Sequence, residues 1–294
     1  MSQPVMFNGR LNKSESDIWV DLLNETSKTT FMDRDLTKQY LALPESISFV
    51  SSVENQIIGG TTIYRDRTRL SMVLVSVAMK EAYRESATYQ IIKSSLPFFK
   101  TVAIRDVDVL VSSNDGSDCI GFPLSLEVEP WAIEAIKRVG FNKVVKIVQC
   151  SFEISQKYDN RIKWDNEPNL EGAKELIWDQ SKPLGLTTSL VWLARDFAED
   201  QGTLMTFTIN DKVVGVVGLW QFRDSLTLSP LITDPEVLDW SQVAKAIVSE
   251  GVRSKAERVH LPIVGEGQSG LIEELDGMIN LVSSRTLSLL RKPL

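Results

Sequence analysis

Val53-Glu54-Asn55-Gln56-Ile57-Ile58-Gly59-Gly60-Thr61-Thr62-Ile63-Tyr64 is the stretch whose reading decides the fold. A polar tip at Glu54-Asn55 is followed by a β-branched and aromatic run, the pattern of a hairpin turn feeding a strand. The same plan returns 156 residues later in Ile209-Asn210-Asp211-Lys212-Val213-Val214-Gly215-Val216-Val217-Gly218-Leu219-Trp220. At that offset the strand-like run Leu70–Val75 aligns with Leu226–Leu231. A helix is expected after each, over 83–96 and over 235–251. In the second, Val237, Trp240, Val243, Ala244, Ile247 and Val248 form a stripe of helical period.

The pairing of elements continues outward. A strand over 106–111 answers one over 258–263, the offset having slipped to 152. A polar loop then leads to a helix with a glycine stop: Trp131–Val139 before Gly140-Phe141, and Leu271–Asp276 before Gly277-Met278. Closing strands are expected over 144–152 and 281–290, now 137 apart. A shared element order with few identical residues points to duplication followed by divergence. The polar stretch 155–161 marks the boundary, so the expected domains are 1–157 and 158–294.

Composition narrows the function classes. The chain has 294 residues, 43% hydrophobic and 24% charged, which excludes wholesale disorder, collagen and coiled coil. No apolar run approaches the ~20 residues that span a bilayer, and the first residues lack a secretory pattern, so the expected location is the cytoplasm and no membrane partner is expected. One histidine, His260, and two cysteines, Cys119 and Cys150, do not furnish a typical zinc site. His260 sits in the apolar run 259–264 and reads as a strand histidine. Net charge is −7 with no basic run, which argues against a nucleic-acid partner. The deficit is uneven: residues 1–157 carry 18 basic and 19 acidic side chains, against 14 and 20 in residues 158–294.

The element order, with Val77–Tyr89 running from a strand end into an Arg-bearing turn and helix, and with Lys137-Arg138-Val139-Gly140-Phe141 ending the later helix, resembles the GCN5-related N-acetyltransferases (GNAT). The resemblance covers nearly the whole chain and implies an α/β (α+β) fold of two tandem GNAT-like domains, each a mixed β-sheet flanked by helices. It implies an acyl-CoA-dependent N-acyltransferase working from the first domain, with acetyl-CoA as co-substrate and a small-molecule or peptide amine as acceptor. Backbone donors around Val75 and Val77 would hold pantetheine. Arg84, Glu85, Ser86, Ala87, Thr88 and Tyr89 would hold the pyrophosphate, because backbone N–H groups at a helix N-terminus bind anions. The acceptor would lie between residues 18–24 and the loop 114–127.

The sequence also departs from the family pattern. Ala87 and Tyr89 stand where the family's loop has glycine, and Glu85 adds a negative charge. Ile136 takes the place of a tyrosine acid, and Glu129 that of an asparagine. Asp108 and Glu129 are candidate bases only, since an acid at either position reads first as a solvent-facing or hydrogen-bonded structural group. In the second half Trp240 occupies the position of Arg84, so residues 158–294 are expected to be a structural partner. Two other readings stay open: a non-catalytic ligand sensor or scaffold, and a transferase using a non-CoA acyl donor. Gly265-Glu266-Gly267-Gln268-Ser269-Gly270 matches a dinucleotide fingerprint, yet after Asp276 the chain has no acid to meet a ribose, and it reads as a strand-to-helix turn.

Overall fold

The computed structural model describes residues 7–26, 34–66, 71–96, 104–112, 127–154, 164, 165 and 167–294. Twelve strands and eight α-helices lie among the described residues, and the chain divides into two units, residues 1–144 with 288–294 and residues 145–287. None of these helices is long and apolar enough to cross a membrane.

In the first unit β1 (Phe7–Arg10), β2 (Ser46–Val53), β3 (Gln56–Asp66), β4 (Ser71–Met79) and β5 (Asp106–Ser112) stand side by side in chain order. The junctions are antiparallel up to β4, and β4 and β5 are parallel. A parallel pair needs a crossover, which carries α3 (Arg84–Ser95). Alternation along β4 sends its side chains to two cores. Val77 and Met79 pack with Ile91 and Ile92 of α3 and with Ile136 of α4 (Ile133–Val139). Ala78 faces the other way, onto Trp19, Leu22 and Leu23 of α1 (Ser16–Thr26), beside which lies α2 (Arg34–Leu41). Trp19 is fully buried and donates from Nε1 to Thr62 Oγ1 at 3.1 Å. Gly60 permits this approach, since a Cβ there would stand 2.9 Å from the indole and 2.3 Å from the Phe49 carbonyl oxygen.

In the second unit β8 (Leu204–Ile209), β9 (Lys212–Phe222), β10 (Ser225–Thr233) and β11 (Arg258–Val264) follow the same plan, with β10 and β11 the parallel pair. Helices α7 (Trp240–Arg253) and α8 (Ser269–Met278) pack on one face, while α5 (Leu170–Gln180) and α6 (Thr188–Asp200) lie against β9 and β10. The repeat extends to local backbone geometry. Glu54 and Asn55 turn the first hairpin with φ of 49° and 63°, and Asn210 and Asp211 turn the second with the same pair of angles. Two positive φ values in a two-residue loop are what the right-handed twist of flanking strands favours. The register slips between Ser51 and Ser52 in β2 and between Phe207 and Thr208 in β8, again 156 residues apart.

The closing strands do not follow chain order. Residues 145–153 of β7 (Asn142–Glu153) belong to the second unit, where β7 lies antiparallel to β11 with Val259 opposite Phe152. Residues 288–294, the end of β12 (Asn280–Pro293) and the last residue, belong to the first unit, where Leu294 N–H donates to the Arg105 carbonyl. Two helix boundaries also differ from the sequence reading. The helix expected from Pro235 begins at Trp240, because Asp239 caps it and residues 234–239 form turns. Gly277 lies inside α8 rather than stopping it. Gly140 does stop α4, taking φ of 108°.

Candidate functional site

The first unit opens a groove of about 790 Å³ between the start of α3 and α4. After Met79 the chain leaves the sheet through a 3-10 turn at Glu81–Tyr83 and runs straight into α3, and no side chain caps either element. The first backbone N–H groups of such a helical run have no intrahelical acceptor and carry the positive end of its dipole. Arg84 lies across this start. Its Nε donates to the Met79 carbonyl at 3.3 Å, and its guanidinium sits 4.5 Å from the centre of the Trp131 ring.

Glu85 and Ser86 are exposed, and the Ser86 hydroxyl donates to the Tyr83 carbonyl at 3.3 Å. Ala87 is helical and buried in the core, so the glycine of the family loop is not needed for backbone conformation here. Thr88 is 2% exposed, lines the groove, and its hydroxyl has no partner among the described residues. Tyr89 is half-buried between two cations, Arg138 at 4.9 Å and Lys93 at 5.4 Å from its ring. Three carboxylates, Glu81, Glu85 and Glu134, also line the groove against Arg84 and Arg138.

A second feature lies at the end of β4. Leu74 faces Ile63 and Ser76 faces Thr62, so Val75 is the extra residue of a bulge, while Val77 faces Thr61 and packs in the core. The parallel pairing of β4 with β5 ends at Leu74 and Val109. Beyond it β6 (Glu127–Val128) pairs with Leu110 and Val111 and touches β4, so it forms one wall of the notch where the strands part. Glu129 follows at the mouth of the notch, 5% exposed, its carbonyl accepting the Ala132 N–H at 3.0 Å.

Asp108 stands lower, opposite Val73, and is 1% exposed. Both of its oxygens accept from Arg291, Oδ1 from Nε at 2.7 Å and Oδ2 from Nη2 at 2.9 Å. Asp108 holds the Arg291 guanidinium in its charged form more firmly than usual, by hydrogen bond and by charge. The structure thus brings Val75, Val77 and Glu129 to the notch, sets Arg84, Glu85, Ser86, Thr88 and Tyr89 along the groove, turns Ala87 into the core, and engages Asp108 in an ion pair. Of the expected acceptor walls, residues 18–24 lie on α1, and 113–126 lie outside the described residues.

The matching region of the second unit is sealed by its own side chains. Asp239 accepts the Gln242 N–H at 2.7 Å and Gln242 Oε1 accepts the Asp239 N–H, so the N-terminus of α7 already holds a carboxylate. Trp240 lies against Gly270 so closely that a Cβ there would stand 2.5 Å from the indole. Where β10 runs past its pairing with β11, buried Gln268 donates to the Leu231 carbonyl at 2.9 Å and accepts the Gly265 N–H at 3.0 Å. The glycines of the apparent dinucleotide fingerprint serve packing. A Cβ at Gly265 would meet the Leu184 carbonyl oxygen at 2.0 Å, and one at Gly267 the Pro183 oxygen at 2.4 Å.

His260 is buried in β11, and its pKa is pushed down to about 4 by loss of water and by the charge of Arg258, against an opposing pull from Asp224. The folded protein therefore keeps His260 neutral while the unfolded chain, near its ordinary 6.5, takes up a proton. Stability from this group is complete above pH 6.5 and is lost as pH falls from there toward 4, by roughly 3 kcal/mol. Urea midpoints measured between pH 7 and pH 4.5 should fall in the native protein and fall much less in His260→Gln. Equal slopes would refute the assignment.

Sequence reasoning passed over Trp131, the platform under Arg84, and Arg138, the cation over Tyr89. Trp131 lies in the 3-10 turn Pro130–Ala132 and Arg138 near the end of α4, and nothing local specifies that α3 is the neighbour of both.

No family model matches the sequence, and no curated protein matches it. Solved structures do resemble the fold. A tandem GNAT protein from the clavulanic acid biosynthesis pathway aligns with a TM-score of 0.64 at 8% identity, over 98% of this chain and 98% of that one. A GCN5-related N-acetyltransferase from Sphaerobacter thermophilus gives 0.61 at 9% identity, over 98% and 95%. A candidate acetyltransferase from Pyrococcus horikoshii gives 0.65 at 12% identity, over 98% and 89%. The likeness is one of fold: the chain has the architecture of two tandem GNAT-like domains.

Proposed function

We propose that the protein is an acyl-CoA-dependent N-acyltransferase whose donor site lies in the first unit. The observation that carries this reading is the contrast between the two repeats. The first keeps an uncapped helix start, Arg84 and a buried, unpartnered Thr88 hydroxyl around an open groove. The second caps its helix start with Asp239, has Trp240 in place of Arg84, and packs Gln268 against the Leu231 carbonyl.

In this reading the start of α3, with Arg84 and Thr88, holds the pyrophosphate of acetyl-CoA, and the β4 edge from Val75 to Val77 holds the pantetheine. Bound acyl-CoA supplies the activated acyl group. Backbone N–H groups at the Val75 bulge stabilise charge developing on the thioester oxygen. Glu129, at the mouth of the notch, is the acid placed to take the proton of the acceptor amine, and Asp108 lies deeper in β5 against Arg291. Ile136 has a hydrocarbon side chain packed in the core, so no acid at that position protonates the departing thiolate.

Calorimetric titration with CoA and acetyl-CoA tests the donor site, and micromolar binding is the expected result. No heat with acetyl-, propionyl- or longer acyl-CoA would remove the proposal. Turnover with a panel of amines then separates the enzyme from the second reading, a non-catalytic ligand sensor, which the buried Ile136 and the engaged Asp108 favour. Binding without turnover would select the sensor. A non-CoA acyl donor gains some support from the three carboxylates lining the groove.

A further inference from the structure

Arg84 has two neighbours that fix it, and they differ in kind. The Met79 carbonyl accepts from its Nε at 3.3 Å, a long bond that engages Nε and not the terminal nitrogens. The guanidinium carbon lies over the Trp131 ring, 4.5 Å from its centre, within the range where the ring's negative face attracts a cation. The indole is itself held by packing. It lies against the core that joins α3, α4 and the sheet, and its Nε1 is buried without a hydrogen-bond partner among the described residues. One face of the ring therefore belongs to the core and the other to Arg84.

We infer that Trp131 is a positioning residue for Arg84: it stacks the guanidinium flat at the start of α3 so that its terminal N–H groups face the groove and meet a diphosphate. The inference rests on the acyl-CoA reading of that groove and adds a residue to it. The second unit supplies a structural contrast. Its helix-start residue is Trp240 instead of arginine, the residue matching Trp131 by position in the following 3-10 turn is Gly267, and that region is packed shut. Electrostatics give the positioning a purpose. Glu81, Glu85 and Glu134 line the same groove, and an unanchored Arg84 would pair with one of them instead of with the ligand. An aromatic platform holds the cation without neutralising it.

A double-mutant cycle on CoA affinity, read by calorimetry, decides the matter. Trp131→Met should weaken binding about three- to tenfold, matching the strength of a partly exposed cation–aromatic pair. Trp131→Phe should restore most of that loss. In an Arg84→Gln background Trp131→Met should produce no further loss. Thermal melts of each variant identify any that fail to fold, and Trp131→Phe with Trp131→Tyr keeps the cycle usable if the methionine variant does not. If Trp131→Met costs the same factor with and without Arg84, the indole acts by direct contact or by general packing and the inference is overturned. Failure of the native protein to bind CoA is a distinct result, which removes the acyl-CoA reading and this inference together.

Discussion

Arg84→Glu is expected to weaken CoA binding by roughly ten- to hundredfold, the worth of one or two charge-assisted hydrogen bonds with repulsion added. The substitution leaves the helix intact, because Arg84 is its first residue and an acid there suits the dipole. The loss should therefore fall on affinity and not on the melting temperature. It should shrink at high salt, since the groove is open to solvent and screening acts on both the attraction and the repulsion. Trp240→Phe, at the sealed counterpart, should leave affinity unchanged. Calorimetry with the three proteins at low and high salt gives the comparison. Equal affinities for native and Arg84→Glu protein, or a loss in Trp240→Phe alone, would move the donor site out of the first unit.

The second large effect concerns stability. Removing Arg291 leaves the Asp108 carboxylate buried at 1% exposure with its bidentate partner gone. Breaking a buried pair costs about 3–5 kcal/mol, and the lower end applies here because Arg291 is itself 33% exposed. Arg291→Met should therefore lower unfolding stability in urea by roughly 3 kcal/mol. The double variant Asp108→Leu with Arg291→Met should recover most of it, because the buried carboxylate is then absent. A double variant as unstable as the single one would show that Arg291 acts by packing. The same geometry bears on dissection of the chain. Residues 288–294 belong to the first unit, so a fragment of residues 1–157 lacks both the end of β12 and the partner of Asp108. Such a fragment should be less stable than the whole protein and should melt at a lower temperature.

Much of the fold could be read locally. The two hairpin tips, the strand–helix–strand order and the glycine stop at Gly140 each depend on residues within a few positions of one another, and each is where the pattern put it. The position of residues 84–89 at the start of a helix was legible for the same reason, but which of them turn to the groove was not: Arg84, Glu85, Ser86, Thr88 and Tyr89 line it, whereas Ala87 faces the core. The role of Asp108 was not legible. An acid in an apolar strand reads as either a base or a structural group until its partner is known, and that partner lies 183 residues away.

The closing strands mark the boundary between the two kinds of information. Sequence by itself placed closing strands over 144–152 and 281–290, within the observed 142–153 and 280–293, because β propensity and alternation are properties of the segment. It also pointed to a repeat, since the order of elements recurs, at an offset of 156 residues at the hairpins that shrinks to 137 at the closing strands. Which edge each closing strand pairs with was decided only in three dimensions. Backbone hydrogen bonds are alike in every strand, so a strand's partner is set by which open edge its side chains fit, and pattern within the strand does not name it. Hence β7 completes its pairing with β11, the end of β12 brings Arg291 to Asp108, and the second repeat's own residues fill the groove that the first leaves open.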